Sequence, residues 1–203
     1  MEYRTYNVMK LELLLKSIAK HVTLSELEKH KLLTLFETKE YKAKTKLLET
    51  GGICKDSFFV LSGIIRSYTI DDNLVEHTLS FASPEWWISD MYSYFSGKPG
   101  EVCIEVIEDA IVITLSREKQ LELFNEIPKM ERYFRILIEN SLIANQQRLM
   151  DNMRLTAEER YEKFCNRYPE IKYCLPQKQI ASYLGITPEF FSKMKKKLLT
   201  KQH

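Results

Sequence analysis

The sequence predicts an α+β protein with a β-rich N-terminal body, one long helix and a C-terminal helix-turn-helix. Three observations lead to this fold class. Short strand-like runs separated by turn residues fill residues 39–115. A stretch without Gly or Pro follows over residues 129–153. Two short helical patterns that meet at Gly185 close the chain.

The composition is that of a folded globular chain. The 203 residues are 44% hydrophobic and 29% charged, which leaves room for one large or two modest domains. Six Gly and six Pro exclude collagen-like and low-complexity classes.

The N-terminal segment, residues 8–36, has apolar residues at helical spacing, and Thr23 or Ser25 is the predicted N-cap of its second half. Charged residues, Glu12 and Lys16, interrupt its apolar run. This pattern excludes a signal peptide and a membrane span, and we expect a cytoplasmic protein with no membrane partner.

Turn residues divide the β-rich body into short strands. We expect turns at residues 51–52, 62–63 and 71–73, separate strands over residues 102–107 and 110–115, and an irregular segment over residues 86–100. Many short strands at near-regular spacing are typical of a β-sandwich or barrel.

A long helix is predicted over residues 129–153, after a short helix at residues 118–125 and Pro128. One row of residues recurs along this helix at close to the a and d spacing of a coiled coil, and we call this row the seam. The seam predicts a parallel homodimer, and the alternative is a helix packed on its own chain. The seam residues are Phe134, Leu137, Ile138, Ser141, Leu142, Asn145 and Leu149.

The net charge of +2 conceals an asymmetry. Residues 154–203 carry 11 basic and five acidic residues, a net charge of +6, and residues 1–153 carry −4. A basic module favours a nucleic-acid partner, although a solvated helix face would give the same pattern.

Residues 177–199 fit a helix-turn-helix, in which the second helix enters the DNA major groove. Ala181 is small enough for a close helix crossing, and Gly185 can take the positive φ that ends a helix. Thr187 can cap the second helix, which Pro188 begins.

The exposed face of this second helix carries side chains suited to base edges. The predicted base-reading residues are Pro188, Glu189, Ser192, Lys193 and Lys196. The predicted phosphate contacts, which position a protein without reading sequence, are Lys178, Thr187, Lys195, Lys197 and Lys201.

No residue set suits catalysis or metal binding. The four cysteines form no C-x-x-C pair, no His lies at ligand spacing from them, and no nucleophile–base set or phosphate-cradling loop is present. We therefore expect no catalytic residues, metal or cofactor, and an enzyme is the least favoured class.

Three motifs resemble those of Crp/Fnr-family transcriptional regulators. E-F-F-S-K at residues 189–193 resembles the E-x-x-S-R motif of Fnr-like members, with Lys193 in the place of Arg, which forfeits the bidentate fork. L-L-E-T-G-G at residues 47–52 and F-F-V-L-S-G at residues 58–63 are similar to the start of the family's cyclic-nucleotide-binding β-roll. The C-terminal part resembles the Bacteroidetes-type branch, with little room for a β-hairpin wing between Tyr168 and Pro176.

The resemblance covers essentially the whole chain. It implies a jelly-roll (double-stranded β-helix) sensor domain over residues 1–127, a dimerisation helix over residues 128–153 and a DNA-binding domain over residues 154–203. It also implies a homodimer on palindromic double-stranded DNA, with RNA polymerase as a further partner.

The family's nucleotide-binding members hold the cyclic phosphate with an Arg in a cassette that corresponds here to residues 86–106. This stretch contains no Arg, and an unpaired buried phosphate would be costly, so we do not expect cyclic AMP binding. Five residues of this stretch are expected to line a pocket for an unknown effector, and the alternative is that they belong to the hydrophobic core. These residues are Trp86, Trp87, Asp90, Tyr92 and Tyr94.

A competing hypothesis is a small-molecule or cyclic-nucleotide sensor whose DNA-binding module is secondary or vestigial. The basic C-terminal part and the intact core spacing of Ile180, Ala181 and Gly185 argue against it.

Overall fold

The computed structural model describes residues 2–200. The helices are α1 (Glu2–Ala19), α2 (Glu26–Leu35), α3 (Met91–Ser96), α4 (Arg117–Glu126), α5 (Lys129–Arg154), α6 (Ala157–Arg167), α7 (Gln177–Leu184) and α8 (Pro188–Thr200). The strands are β1 (Glu37–Tyr41), β2 (Lys46–Leu48), β3 (Asp56–Ile70), β4 (Glu76–Ala82), β5 (Trp87–Ile88) and β6 (Cys103–Ser116).

The strands form a sheet with the order β1-β6-β3-β4, in which β2 also pairs with β6 and β5 with β3. β1 runs antiparallel to β6, with Glu37 opposite Thr114 and Tyr41 opposite Ala110. Together with the helices, this sheet confirms the predicted α+β class.

The predicted breaks within two strands are wrong. β3 continues through residues 62–63 and β6 through residues 108–109. Gly63 has φ +83°, and a Cβ atom there would lie 2.4 Å from the Asp109 carbonyl oxygen and 2.7 Å from Ala110 Cα. Gly63 therefore allows β3 and β6 to pass closely, and it marks no end of a strand.

Two helices begin with a capping box. Ser25, one of the two predicted N-caps, caps α2: its hydroxyl accepts from the Glu28 N–H, and the Glu28 carboxylate accepts from the Ser25 N–H at 2.7 Å. Thr156 and Glu159 form the same arrangement at the start of α6. The predicted irregular segment contains a further short helix, α3, which Asp90 caps.

The contacts divide the chain into two compact units. The first comprises the residues up to Ser67 together with Phe81–Ser141, and the second comprises Tyr68–Ser80 together with the residues from Leu142 onward. This division differs from the predicted one at residues 127 and 153. The reason is that α5 is shared between the units: its N-terminal turns bury Met130 and Tyr133 in the core of the first.

The tip of the β3–β4 hairpin belongs to the second unit because the helices there bind its backbone. The Ser182 hydroxyl accepts from the Thr78 N–H at 2.8 Å and donates to the Glu76 carbonyl at 2.6 Å. Arg148 donates to the carbonyls of Thr78, at 2.9 Å, and of Leu79.

The first unit has two hydrophobic clusters. One joins the helices α1, α2, α4 and α5 to the sheet around Phe59 and Leu115. The other lies among the strands around Val60, Ile104 and Val112. None of the described helices combines the length and the apolar character that a membrane span requires.

Candidate nucleic-acid interface

The turn between α7 and α8 forms as the sequence predicts. Gly185 has φ +67°, and its N–H donates to the Ser182 carbonyl at 3.1 Å, so α7 ends there. Thr187 Oγ1 accepts from the Phe190 N–H at 3.2 Å and thus caps α8, which Pro188 begins. The predicted helix-turn-helix is confirmed.

An aromatic core fixes the orientation of α8 within the second unit. Phe191 is fully buried, and its ring lies 5.3 Å from that of Tyr161 on α6. Phe164 and Tyr183 pack 5.3 Å apart, and Ala181 is fully buried where α7 and α8 meet. Since Phe191 and Met194 point inward, the opposite face of α8 points to solvent.

The structure brings the predicted base-reading residues together on this solvent-facing side. Glu189, Ser192, Lys193 and Lys196 are all exposed and follow the i, i+3, i+4, i+7 spacing of one helix face. Pro188 is exposed at the start of the helix. A carboxylate, a hydroxyl and two ammonium groups therefore form a polar row about two turns long.

The predicted phosphate-contacting residues differ in their exposure and in their hydrogen-bond and ion-pair partners. Lys178 is exposed at the start of α7, and Lys195 is half-buried. Lys197 forms an ion pair with Glu158 at 3.1 Å, which offsets part of its charge. The Thr187 hydroxyl is occupied by its capping bond. Lys201 lies outside the described residues.

Phe190, which was not among the predicted base-reading residues, is 53% exposed on the first turn of α8. The signal was present in the spacing: successive helix positions lie 100° apart, so Phe190 and Phe191 cannot both face the core. A large apolar side chain exposed beside Glu189 and Lys193 is suited to contact a thymine methyl group.

The seam of α5 is divided between core and surface. Phe134 is 7% exposed and packs against Trp87 and Phe124, so it is a core residue of the first unit and not an exposed seam residue. Leu137 also packs partly against that core. The other seam residues are exposed, as are most positions around the helix from residue 138 onward: Ile138, Ser141, Leu142, Asn145 and Leu149.

The five predicted effector-pocket residues lie in different surroundings within the first unit. Trp87 contacts Phe134 and Phe59 in one hydrophobic cluster, and its Nε1–H donates to the Tyr133 hydroxyl at 3.1 Å. Tyr94 is buried in the other cluster, together with the half-buried Trp86.

Of the other two predicted effector-pocket residues, one caps a helix and the other lies at the surface. Asp90 is buried and caps α3 by accepting from the Ser93 N–H at 3.2 Å. Tyr92 is 61% exposed.

A cation lies within the strands outside the predicted cassette. Arg66 on β3 is 5% exposed, and its guanidinium donates to the Glu105 carboxylate on β6 at 2.6 Å and 2.9 Å. The buried positive charge of Arg66 is therefore balanced by a carboxylate of the protein itself.

The cysteines and possible metal ligands are scattered. Within residues 2–200 the structure groups no three His, Cys, Asp or Glu side chains in a way that would hold a metal ion. Burial raises the pKa of the Cys54 thiol to about 11, so this thiol is protonated at neutral pH.

No family model matches the chain. The Anaerobic regulatory protein of Haemophilus influenzae is 24% identical over 184 residues, covering 85% of this chain and 71% of that protein.

Two solved structures share the fold, each with a TM-score of 0.70. CLP, a c-di-GMP responsive global regulator from Xanthomonas campestris, is 14% identical, and the match covers 88% of this chain and 93% of CLP. FixK2 from Bradyrhizobium japonicum is 19% identical, and the match covers 82% and 86%.

Proposed function

We propose that this chain, a DNA-binding transcriptional regulator of the Crp/Fnr family and not an enzyme, reads a palindromic DNA site as a homodimer. The observation that carries the proposal is the exposed row of Glu189, Ser192, Lys193 and Lys196 on α8, held outward by the buried Phe191. A second helix with such a face is the element that enters the major groove.

The chemistry of this row suggests which base edges it reads. Glu189 can accept from cytosine N4, and Lys193 can donate to guanine O6 and N7. Ser192 can bond to either kind of group, and Phe190 can contact a thymine methyl group. Of the predicted phosphate contacts, Lys178 and Lys195 are the more available, because Lys197 is paired with Glu158 and the Thr187 hydroxyl caps α8.

The exposed seam residues of α5 support the homodimer. Leu142 and Leu149 are 65% and 57% exposed. Exposed leucines at coiled-coil spacing on a long helix favour burial against a partner helix. Two recognition helices related by two-fold symmetry would read half-sites about 34 Å apart. RNA polymerase as a further partner and a cytoplasmic location are parts of the same proposal.

We do not expect cyclic AMP to be the effector. Residues 86–106 contain no Arg, and the buried Arg66 is engaged by Glu105. A cyclic phosphate would have to displace this carboxylate or remain unpaired, and both are unfavourable. Calorimetric titration with cyclic AMP tests this point, and saturable micromolar binding would contradict it.

Selection of bound duplexes from a random pool tests the DNA-reading face. The wild-type chain should enrich a palindrome, Glu189→Ala and Lys193→Ala should each relax selection at one position per half-site, and Phe190→Ala should relax it at a thymine. Each lost base contact should cost about 1–3 kcal/mol of discrimination.

Lys98→Ala, in the first unit, is the matched control and should leave the selected sequence unchanged. Failure to enrich any sequence, or enrichment that survives all three α8 substitutions, would exclude this mode of reading.

A further inference from the structure

The second unit contains a cavity of about 390 Å³ among α5, α6 and α7. This volume lies within the range of small-molecule sites, roughly 300–1,000 Å³. Its charged lining consists of four cations and one carboxylate: Arg148, Arg160, Arg167, Lys163 and Asp151. Asp151 is already paired with Lys163 at 2.7 Å, so it offsets the lysine and leaves a lining dominated by guanidinium groups.

Two of these guanidinium groups have unused donors. The Nε–H groups of Arg148 and Arg160 are buried without an acceptor anywhere in residues 2–200. The described hydrogen bonds of both side chains go to neutral carbonyls, including Arg160 to the Asn152 carbonyl at 3.2 Å, and neither is paired with a described carboxylate. Burial lowers the pKa of Arg148, which shows that its charge is poorly solvated there.

The rest of the lining suits a ligand with an apolar or aromatic part. Phe164, Tyr183 and Leu184 contribute apolar surface, and Gln147 and Asn166 contribute amides. The Arg148 guanidinium lies 4.0 Å from the centre of the Tyr183 ring, which holds it at the edge of the cavity. The cavity thus combines fixed cations with a partly apolar wall.

The cavity is separate from the DNA-reading face. Within its described part, α8 contributes no lining residue, because α6 presents Tyr161 to α8 and Arg160 to the cavity. The exposed seam leucines of α5, Leu142 and Leu149, are also absent from the lining. A ligand there would compete with neither the duplex nor a partner helix.

We propose that this cavity binds a phosphate-bearing small molecule of about nucleotide size. Several guanidinium groups facing one space match the fork geometry that a phosphate accepts from more than one side. A phosphate carries more than one negative charge at neutral pH and so offsets more of the excess positive charge than a single carboxylate does. The proposal does not depend on the sequence that α8 reads.

Calorimetric titration of the full chain with inorganic pyrophosphate tests the proposal, with citrate as the carboxylate counterpart. We expect saturable pyrophosphate binding that weakens at least about tenfold in Arg160→Gln and in Arg167→Gln, since a charged hydrogen bond is lost in each. Citrate has a similar total charge, but it spreads that charge over three separate carboxylates, so it should bind more weakly than pyrophosphate. Circular dichroism of each variant confirms that it folds.

Two matched controls assign the binding to the cavity. Lys178→Gln, on the same unit but outside the cavity, should bind pyrophosphate as the wild type does. The Lys193→Gln/Lys196→Gln variant should do the same, because its changes lie on the DNA-reading face. No saturable binding to wild type, equal loss in the α8 variant, tighter binding of citrate, or full retention in both arginine variants would overturn the proposal.

Discussion

At Gly63, a single hydrogen in place of a side chain keeps two strands in contact. Its φ of +83° disfavours any other residue, and a Cβ atom would collide with the Asp109 carbonyl and Ala110 backbone of β6. Neither atom is the end of a flexible side chain, so β3 or β6 would have to shift. The position is constrained twice, by conformation and by space.

We expect Gly63→Ala to lower the free energy of unfolding by about 3 kcal/mol or more, because strain and collision add. Gly97→Ala is the matched control: Gly97 has φ +69°, and a Cβ there meets nothing within 4 Å. It should cost about 1–2 kcal/mol, the penalty of the left-handed conformation alone. Urea unfolding of both variants measures the difference, and equal losses would show that the close approach is unimportant.

Glu28 is a second residue with a measurable signature. It accepts from the Ser25 N–H, Lys129 and the Ser25 hydroxyl, and these bonds lower its pKa from 4.5 to about 2. Because the folded-state pKa is the lower one, the stabilisation is complete above pH 4.5 and is lost as the pH falls toward 2.

Glu28→Gln should therefore reduce the thermal midpoint most at neutral pH, and the gap to wild type should narrow as the pH falls below 4.5. Lys129→Gln, which keeps the capping box, should show a smaller gap than Glu28→Gln at neutral pH. A wild-type-to-Glu28→Gln gap that stays constant down to pH 2 would contradict the assignment.

At the scale of elements, α5 serves two purposes along its length. Its first turns bury Met130 and Phe134 in the first unit, whereas its later turns expose Leu142 and Leu149. The 3.6-residue repeat keeps the apolar residues in one stripe along the helix. The stripe becomes exposed where the elements that pack against the first turns end.

Leu142→Glu should dissociate the proposed homodimer, since two symmetry-related carboxylates would then be buried close together. We expect the dissociation constant to rise more than about 100-fold. Asn140→Glu places the same charge on the opposite side of α5 and should leave the dimer intact. Sedimentation equilibrium measures both, and a wild-type monomer or a dimeric Leu142→Glu variant would count against the seam.

Elements with local signals were predictable, and those that depend on distant partners were not. Gly185, Thr187 and Pro188 lie beside the turn they create, so the end of α7 and the start of α8 follow from the sequence. Gly63 lies within β3 because of its close approach to Asp109, which is 46 positions away along the chain. The residues around Gly63 alone therefore do not predict that β3 continues. The cavity arginines were missed because Arg148 and Arg160 lie on different helices, and only folding brings them together.

At the scale of the whole molecule, the near-neutral net charge of +2 conceals a basic C-terminal part. The affinity for DNA should consequently depend on salt through the cations of that part. For a dimer, each phosphate-contacting lysine is present twice, and its loss should reduce the slope of log K against log salt by about 1.8.

Lys178→Gln should show this reduction, and Lys98→Gln, in the acidic remainder, should leave the slope unchanged. Fluorescence anisotropy over a series of salt concentrations measures both slopes. Equal slopes for all three proteins would indicate that Lys178 makes no phosphate contact.

The bonds between the helices and the hairpin tip also protect an edge of the sheet. β4 ends the strand order, so its outer N–H and C=O groups could pair with another extended chain. Ser182 occupies the Thr78 N–H and the Glu76 carbonyl, and Arg148 occupies the Thr78 carbonyl. Two side chains therefore close part of an edge that would otherwise favour strand addition and aggregation.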